Sequence, residues 1–195
     1  MSRAAVFLDR DGTLIEEADY LARLEDLAWF PWAIEAVRLL NRAGFVVCVV
    51  TNQGGVGLGH FTESFVGEVH EVMTKTLDAS GARVDGWFYC PHHPRALIDA
   101  LRVACECRKP QPGLVHQAQQ EFDLDLRRSF VVGDRATDLE LATATGARGV
   151  LVRTGHGETE LAAHGTLVRA AAHVAPDLME ATAWILRQSR ALEAD

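Results

Sequence analysis

No stretch of the sequence approaches the roughly 20 consecutive apolar residues of a membrane-spanning helix, so no helical span is expected. Positive charge is scarce: 19 Lys and Arg stand against 27 Asp and Glu, a net charge of −8 with no basic stripe. Such a surface repels a nucleic-acid backbone, which removes nucleic acid from the expected partners. It would also repel a phosphorylated small molecule, so a phosphate site in this chain requires local cations or a metal ion. Internal repeats and low-complexity linkers are absent. Met1–Asp9 turns acidic too soon for an export signal, and the expectation is a cytoplasmic protein. Cysteine is sparse as well. Of four, Cys48 sits in an apolar run and the rest fall within Cys90–Cys107, beside histidines. In a reducing compartment that pattern reads as metal binding before disulfide.

What is present is a regular alternation. Short apolar runs at Ala4–Leu8, Phe45–Val50, Trp87–Tyr89, Phe130–Val132 and Val150–Val152 read as buried strands, mostly β-branched as strands covered on both faces should be. Amphipathic stretches at Ala33–Asn41, Glu63–Ala79, Leu114–Glu121 and Leu139–Thr145 lie among them, and Pro176–Leu192 reads as a closing helix. Strand followed by helix, repeated, predicts an α/β domain: a Rossmann-like open parallel sheet with helices on both faces. A single domain over residues 1–195 is expected, with no large inserted cap and with one long loop at Pro91–Gln111.

The polar residues that could do chemistry gather where strands end: Asp9 and Asp11 after the first, Thr51 and Asn52 after the second, Cys90 after the third, Gly133-Asp134 after the fourth. Open α/β sheets bind ligands at that edge. In a continuing strand Asp9 and Asp11 would share a face, and two such anions call for a divalent cation between them. Arg10 would then face the other way and serve a structural salt bridge. Gly12 allows the chain to turn out of the strand. Lys109, before Pro110, is expected to be held extended as a fixed cation. Asp138 is expected to start a helix, where an acid complements the dipole.

Asp9-Arg10-Asp11-Gly12-Thr13, Thr51-Asn52-Gln53, Arg108-Lys109-Pro110 and Gly133-Asp134 with Asp138 resemble, in order, the four motifs of the haloacid dehalogenase (HAD) superfamily of phosphatases. The resemblance runs from about Ala4 to Arg153. It implies Asp9 as nucleophile and Asp11 as general acid and then base. Thr51 and Lys109 would hold the transferring phosphoryl group. Magnesium would be bound by the Asp9 and Asp134 carboxylates and the Asp11 main-chain carbonyl.

Cys90 and His92, then Cys105 and Cys107, form two ligand pairs that suit a closed Cys₃His zinc site, structural and not catalytic. It would staple the loop at about 90–107. His93 could stand in for His92, and a Cys90–Cys105 disulfide is the rival reading. The spacing resembles the zinc-bearing subset of the superfamily, which includes the heptose bisphosphate and histidinol-phosphate phosphatases. The Cys/His loop and Phe61-Thr62-Glu63 lean toward the heptose branch. Gly133–Asp138 and the glycines of Thr51–Gly59 lean toward the histidinol branch. Leu58 stands near the place of a usual heptose-branch arginine, which leaves another sugar phosphate open too. Asn52, Gln53, Arg108, Arg135 and Tyr20 are the expected substrate-binding residues. Arg108 and Arg135 suit a distal phosphate because arginine forks onto phosphate in a fixed geometry. A monomer acting on a small phosphorylated metabolite is expected. A phospho-accepting receiver or a binding pseudoenzyme is the alternative from another class; a receiver has no use for an acid at Asp11.

Overall fold

The protein is described here by a computed structural model that covers residues 2–163, 165 and 171–192. Among these residues, six strands make one parallel sheet: β1 (Ala5–Leu8), β2 (Val46–Asn52), β3 (Gly86–Cys90), β4 (Phe130–Gly133), β5 (Arg148–Val152) and β6 (His173–Ala175). Their order across the sheet is β3-β2-β1-β4-β5-β6. The chain builds outward from β1 to β3, then returns to the other side of β1 to begin β4. The reversal leaves a crevice past the carboxyl ends of β1 and β4, where ligands of open α/β sheets bind.

Each residue of β1 is 0% exposed, because helices cover both faces of the sheet. Such a strand cannot alternate polar and apolar residues, and it does not. One face packs Val6, Leu8, Val47 and Val49 against α1 (Ala33–Arg42), α2 (Glu63–Ala79) and α6 (Leu178–Leu192). The other packs Ala5, Phe7, Val46 and Val50 against α3 (Gly113–Phe122) and α4 (Ala136–Thr145). Fully burying each large aliphatic or Phe side chain stabilises by about 1.5–3 kcal/mol, so the central strands are the firmest part of the scaffold. The residues that follow them are correspondingly fixed.

The expected strands and helices are all present, and caps explain two of the boundary differences. The helix expected from Leu139 begins at Ala136, because the Asp138 carboxylate accepts a hydrogen bond from the Arg135 amide at 3.1 Å. The closing helix begins at Leu178, not Pro176, because Asp177 caps it by accepting from the Glu180 amide at 3.0 Å. β6 and α5 (Gly157–Ala163) were not expected. β6 has three residues, too few for a periodic signal. Among the described residues, no helix is long and apolar enough to cross a membrane. Cys48 is a buried member of the core, and burial pushes its thiol up to about 12.

Candidate active site

Asp9, Asp11, Tyr20, Thr51, Asn52, Gln53, Arg108, Lys109 and Arg135, scattered over the sequence, line one cavity of about 380 Å³ at the carboxyl edge of the sheet. Asp9 leaves β1 and Thr51 belongs to β2. Lys109 comes from the loop before α3 and Arg135 from the turn between β4 and α4. Parallel register brings the strand-end residues to one edge, and the loop before α3 carries Arg108 and Lys109 to the same place.

At its base lies a buried chain of charges. Lys109 Nζ donates to Asp138 Oδ1 at 2.7 Å and stands 2.9 Å from Asp9 Oδ1. Lys109 is 3% exposed and Asp138 1%. Burial works to lower the Lys109 pKa, but the two carboxylates outweigh it and raise the ammonium above its usual range. Asp9 Oδ1 also accepts from the Arg10 amide at 2.7 Å. Burial raises the Asp9 pKa to about 6 against the pull of Lys109, and the neighbouring Asp138 and Asp11 charges add to the rise. The Lys109–Pro110 peptide is cis. The Lys109 main chain is fixed by Asn52: the Lys109 amide donates to Asn52 Oδ1 at 2.9 Å, and Asn52 Nδ2 donates to the Lys109 carbonyl at 3.1 Å.

Asp134 is fully buried at the end of β4. Its Oδ2 accepts from the His156 amide at 2.7 Å, while Oδ1 is buried with no hydrogen-bond partner. Burial, then the charges of Asp9 and Asp138, push its pKa up to about 8. Carboxylate oxygens of Asp9, Asp134 and Asp138 all lie within 4.8 Å of one another. Both Asp138 oxygens are already taken, by Lys109 and the Arg135 amide. The pair with capacity for a cation is therefore Asp9 and Asp134, and an unpartnered buried carboxylate oxygen in an all-oxygen setting suits a hard divalent ion such as magnesium. The backbone closes on this spot. A Cβ on Gly12 (φ +74°) or on Gly155 (φ +54°) would stand 2.2 Å from Asp134 Oδ2.

Arg10 corrects the expectation that its side chain points away from the acids. It is 2% exposed, with Nε 3.1 Å from Asp11 Oδ2 and Nη2 2.9 Å from Asp11 Oδ1. Side-chain alternation holds only along an extended chain, and β1 ends at Leu8 with a bend at Arg10. Gln53 bridges the same group. Its Oε1 accepts from Arg10 Nη2 at 3.0 Å, and its Nε2 donates to Asp11 Oδ2 and to Thr51 Oγ1, both at 2.9 Å.

Around the mouth, Arg108 Nη1 donates to the His92 carbonyl at 2.9 Å. Arg135 Nη2 donates to Glu17 Oε2 at 3.3 Å. Tyr20 stacks at a tilt on His60, with ring centroids 4.3 Å apart. The segment Glu16–Tyr20 was expected to meet a sugar, and Glu17 lines the cavity; His156 was missed from the sequence and stands with Nε2 3.3 Å from Glu17 Oε2. The available signal was Thr154-Gly155-His156-Gly157 directly past β5, two glycines at a strand end.

Behind Arg108 lies the cysteine cluster. His92 Nδ1 is 3.4 Å from Cys90 Sγ and 3.2 Å from Cys107 Sγ; Cys90 Sγ is 3.6 Å from Cys105 Sγ and 3.2 Å from Cys107 Sγ. A tetrahedron with metal bonds of roughly 2.1–2.3 Å has edges of about 3.4–3.8 Å, so these four atoms fit around a zinc ion. The rival disulfide is not formed, since its sulfurs would stand about 2.05 Å apart. His93 is not part of the cluster; it lines the cavity, and its Nδ1 accepts from the Arg95 amide at 3.1 Å.

Comparison with known proteins agrees with this architecture. Residues 106–181 match the HAD-hydrolase-like family model. The chain is 45% identical over 147 residues to a D-glycero-beta-D-manno-heptose-1,7-bisphosphate 7-phosphatase of Rhodopseudomonas palustris, covering 75% of this chain and 82% of the relative. It is 39% identical over 189 residues to a D-glycero-D-manno-heptose-1,7-bisphosphate 7-phosphatase of Thermosynechococcus vestitus, covering 95% of this chain and 96% of the relative. Among solved structures, the D,D-heptose 1,7-bisphosphate phosphatase of B. bronchiseptica, complexed with magnesium and phosphate, superposes with a TM-score of 0.85 at 32% identity, over 95% of this chain and 99% of that one. The chain therefore belongs to the HAD-like hydrolases, the family that holds these heptose bisphosphate phosphatases.

Proposed function

We propose that this chain is a magnesium-dependent phosphatase that removes the 7-phosphate of D-glycero-D-manno-heptose 1,7-bisphosphate through a phosphoaspartate on Asp9. The observation that carries the reading is the buried Asp9–Lys109–Asp138 chain beside the unpartnered Asp134 oxygen. Charge of that kind is costly to bury without a task or a counter-ion.

Asp9 Oδ1 is held by Lys109 and the Arg10 amide, which leaves Oδ2 for attack on phosphorus. As the new O–P bond forms, the bond to the sugar oxygen breaks, and that oxygen takes the proton of the Asp11 carboxyl. Water then attacks the phosphoaspartate, gives its proton to the Asp11 carboxylate, and releases phosphate and free Asp9. Lys109 offsets negative charge on the phosphoryl oxygens, and the Thr51 hydroxyl donates to one of them. A magnesium ion held by Asp9, Asp134 and the Asp11 carbonyl would, when bound, neutralise the phosphoryl oxygens further. Cys90, His92, Cys105 and Cys107 would hold a structural zinc that fixes the loop carrying Arg108 and Lys109.

The substrate assignment is supported by the names of the relatives, by the cavity volume and by Arg108 and Arg135 at its mouth, where a distal phosphate could be read. Phosphorus NMR of the product mixture tests it. Incubation with the heptose bisphosphate should release the 7-phosphate and leave the 1-phosphate, faster than histidinol phosphate or hexose phosphates are cleaved. Release of the 1-phosphate, or preference for histidinol phosphate, would overturn the substrate. A receiver would accept phosphate without turning over, so continuous release also separates the enzyme from that alternative.

A further inference from the structure

Among the described residues, Arg10 is the largest side chain that is fully buried. A guanidinium in that position must be matched by acceptors, and the acceptors it has are Asp11 and Gln53. Three of its contacts reach the Asp11 carboxylate: Nε to Oδ1 at 3.3 Å and to Oδ2 at 3.1 Å, and Nη2 to Oδ1 at 2.9 Å. Gln53 then ties the same carboxylate to Thr51. Its amide has one consistent orientation, carbonyl toward the arginine and NH₂ toward the carboxylate and hydroxyl. Gln53 is 4% exposed. Although it lines the cavity, both ends of its amide are spent on neighbouring side chains and not on the open space.

We infer that Arg10 and Gln53 are positioning residues for Asp11. Together they hold the Asp11 carboxyl where it meets the leaving-group oxygen, and Gln53 keeps it in register with Thr51. The inference rests on the proposed role of Asp11 as the group that protonates the departing oxygen and later takes a proton from water. Arg10 and Gln53 together place two hydrogen-bond donors on each Asp11 oxygen, the longest being Nε to Oδ1 at 3.3 Å, so a proton taken up by Asp11 displaces one of these contacts. The Gln53 side chain is hydrogen-bonded to Arg10, Asp11 and Thr51, and not to Asp9, Lys109 or Asp134. Disturbing Gln53 should therefore affect proton delivery more than phosphoryl capture, which it reaches only through the Thr51 hydroxyl.

The test compares two esters on Gln53→Met and Arg10→Lys, with kcat/KM as the readout because it reports only the steps through transfer to Asp9. An alkyl phosphate such as the sugar ester needs its leaving oxygen protonated; dinitrophenyl phosphate does not. Correctly placed general acids contribute about 10²–10⁴-fold, and a displaced one loses part of that. The alkyl ester should fall about 10–100-fold, at least tenfold more than the aryl ester, on each variant. Gln53→Met removes the bonds with little change in volume and keeps the test decisive if Arg10→Lys fails to fold. Equal losses on both esters, or none on either, would overturn the inference and leave Arg10 and Gln53 as packing. An Asp9→Asn control separates the two claims: if it retains turnover the phosphoaspartate reading fails, and if it is inactive while Gln53→Met shows no split, only the positioning role fails.

Discussion

Asp138 Oδ1 accepts a hydrogen bond from Lys109 Nζ at 2.7 Å, and that single contact aims the buried ammonium that also faces Asp9. Asp138→Asn keeps an acceptor for the Arg135 amide and so keeps the cap of α4, but it removes half of the charge opposite Lys109. Leaving a buried charge short of a partner costs about 3 kcal/mol. The variant should melt several degrees lower and lose about 10–100-fold in kcat/KM, roughly 1.4–2.7 kcal/mol of transition-state stabilisation. Thermal denaturation and steady-state phosphate release on the same preparation check both.

Gly12→Ala should be worse than its size suggests. The backbone there has φ +74°, and the added Cβ would stand 2.2 Å from Asp134 Oδ2. The left-handed conformation alone costs about 1–2 kcal/mol, and the clash must push Asp134 away from Asp9. Loss of activity together with weakened magnesium binding in calorimetry is the expected outcome, while a fully active variant would count against Asp134 as a ligand.

Removing the metal from the cysteine cluster should loosen the active site from behind. Cys107 is followed at once by Arg108 and Lys109, and Arg108 is bonded to the His92 carbonyl. Protein purified without chelator should carry about one zinc per chain, as structural Cys₃His sites do. Cys105→Ser should lose it, with a lower melting temperature and weaker substrate binding. Elemental analysis and a thermal scan measure the two effects.

His70, within electrostatic reach of Arg10 and Asp11, gives a pH dependence of its own. It is buried between α2 and β3, stacked on Trp87 at 4.6 Å between centroids, with Nε2 unpartnered. Burial lowers its pKa to about 3, and Arg10 adds to the fall. The folded value lies below the ordinary 6.5, so between those limits the unfolded chain holds a proton that the folded one does not. This contribution is complete above about pH 6.5 and is lost as pH falls, by at most about 1.4 kcal/mol per pH unit. Asp9 and Asp134, raised to about 6 and about 8, act with the opposite sign in metal-free protein. Urea denaturation of wild type and His70→Phe at pH 7 and pH 5 isolates the histidine: the wild type should lose more stability on acidification than the variant.

The strands were legible because burial on both faces demands unbroken apolar runs such as Val46–Val50, and the site was legible because its residues follow those runs. β6 was not, since three residues carry no period. The orientation of Arg10 was misread for a related reason: alternation was extended past Leu8, where the chain bends and the rule lapses. Gln53 and Asn52, expected to meet substrate, line the cavity, and their amides also serve Asp11 and the Lys109 main chain. A sequence shows which residues reach a site but not which of them are consumed in holding the others. His156 contributes through its amide, an atom every residue but proline has, so its identity gave no signal.

The central claim is that Asp9 carries the phosphoryl group, and acid quenching during turnover tests it most directly. The Asp11→Asn variant lacks the base that lets water discharge the intermediate. Given dinitrophenyl phosphate, whose leaving group needs no proton, it should accumulate one phosphoryl group per chain on the peptide containing Asp9, removable by hydroxylamine. Steady release of phosphate with an unmodified Asp9 peptide, or a phosphoryl group found on another residue, would contradict the account.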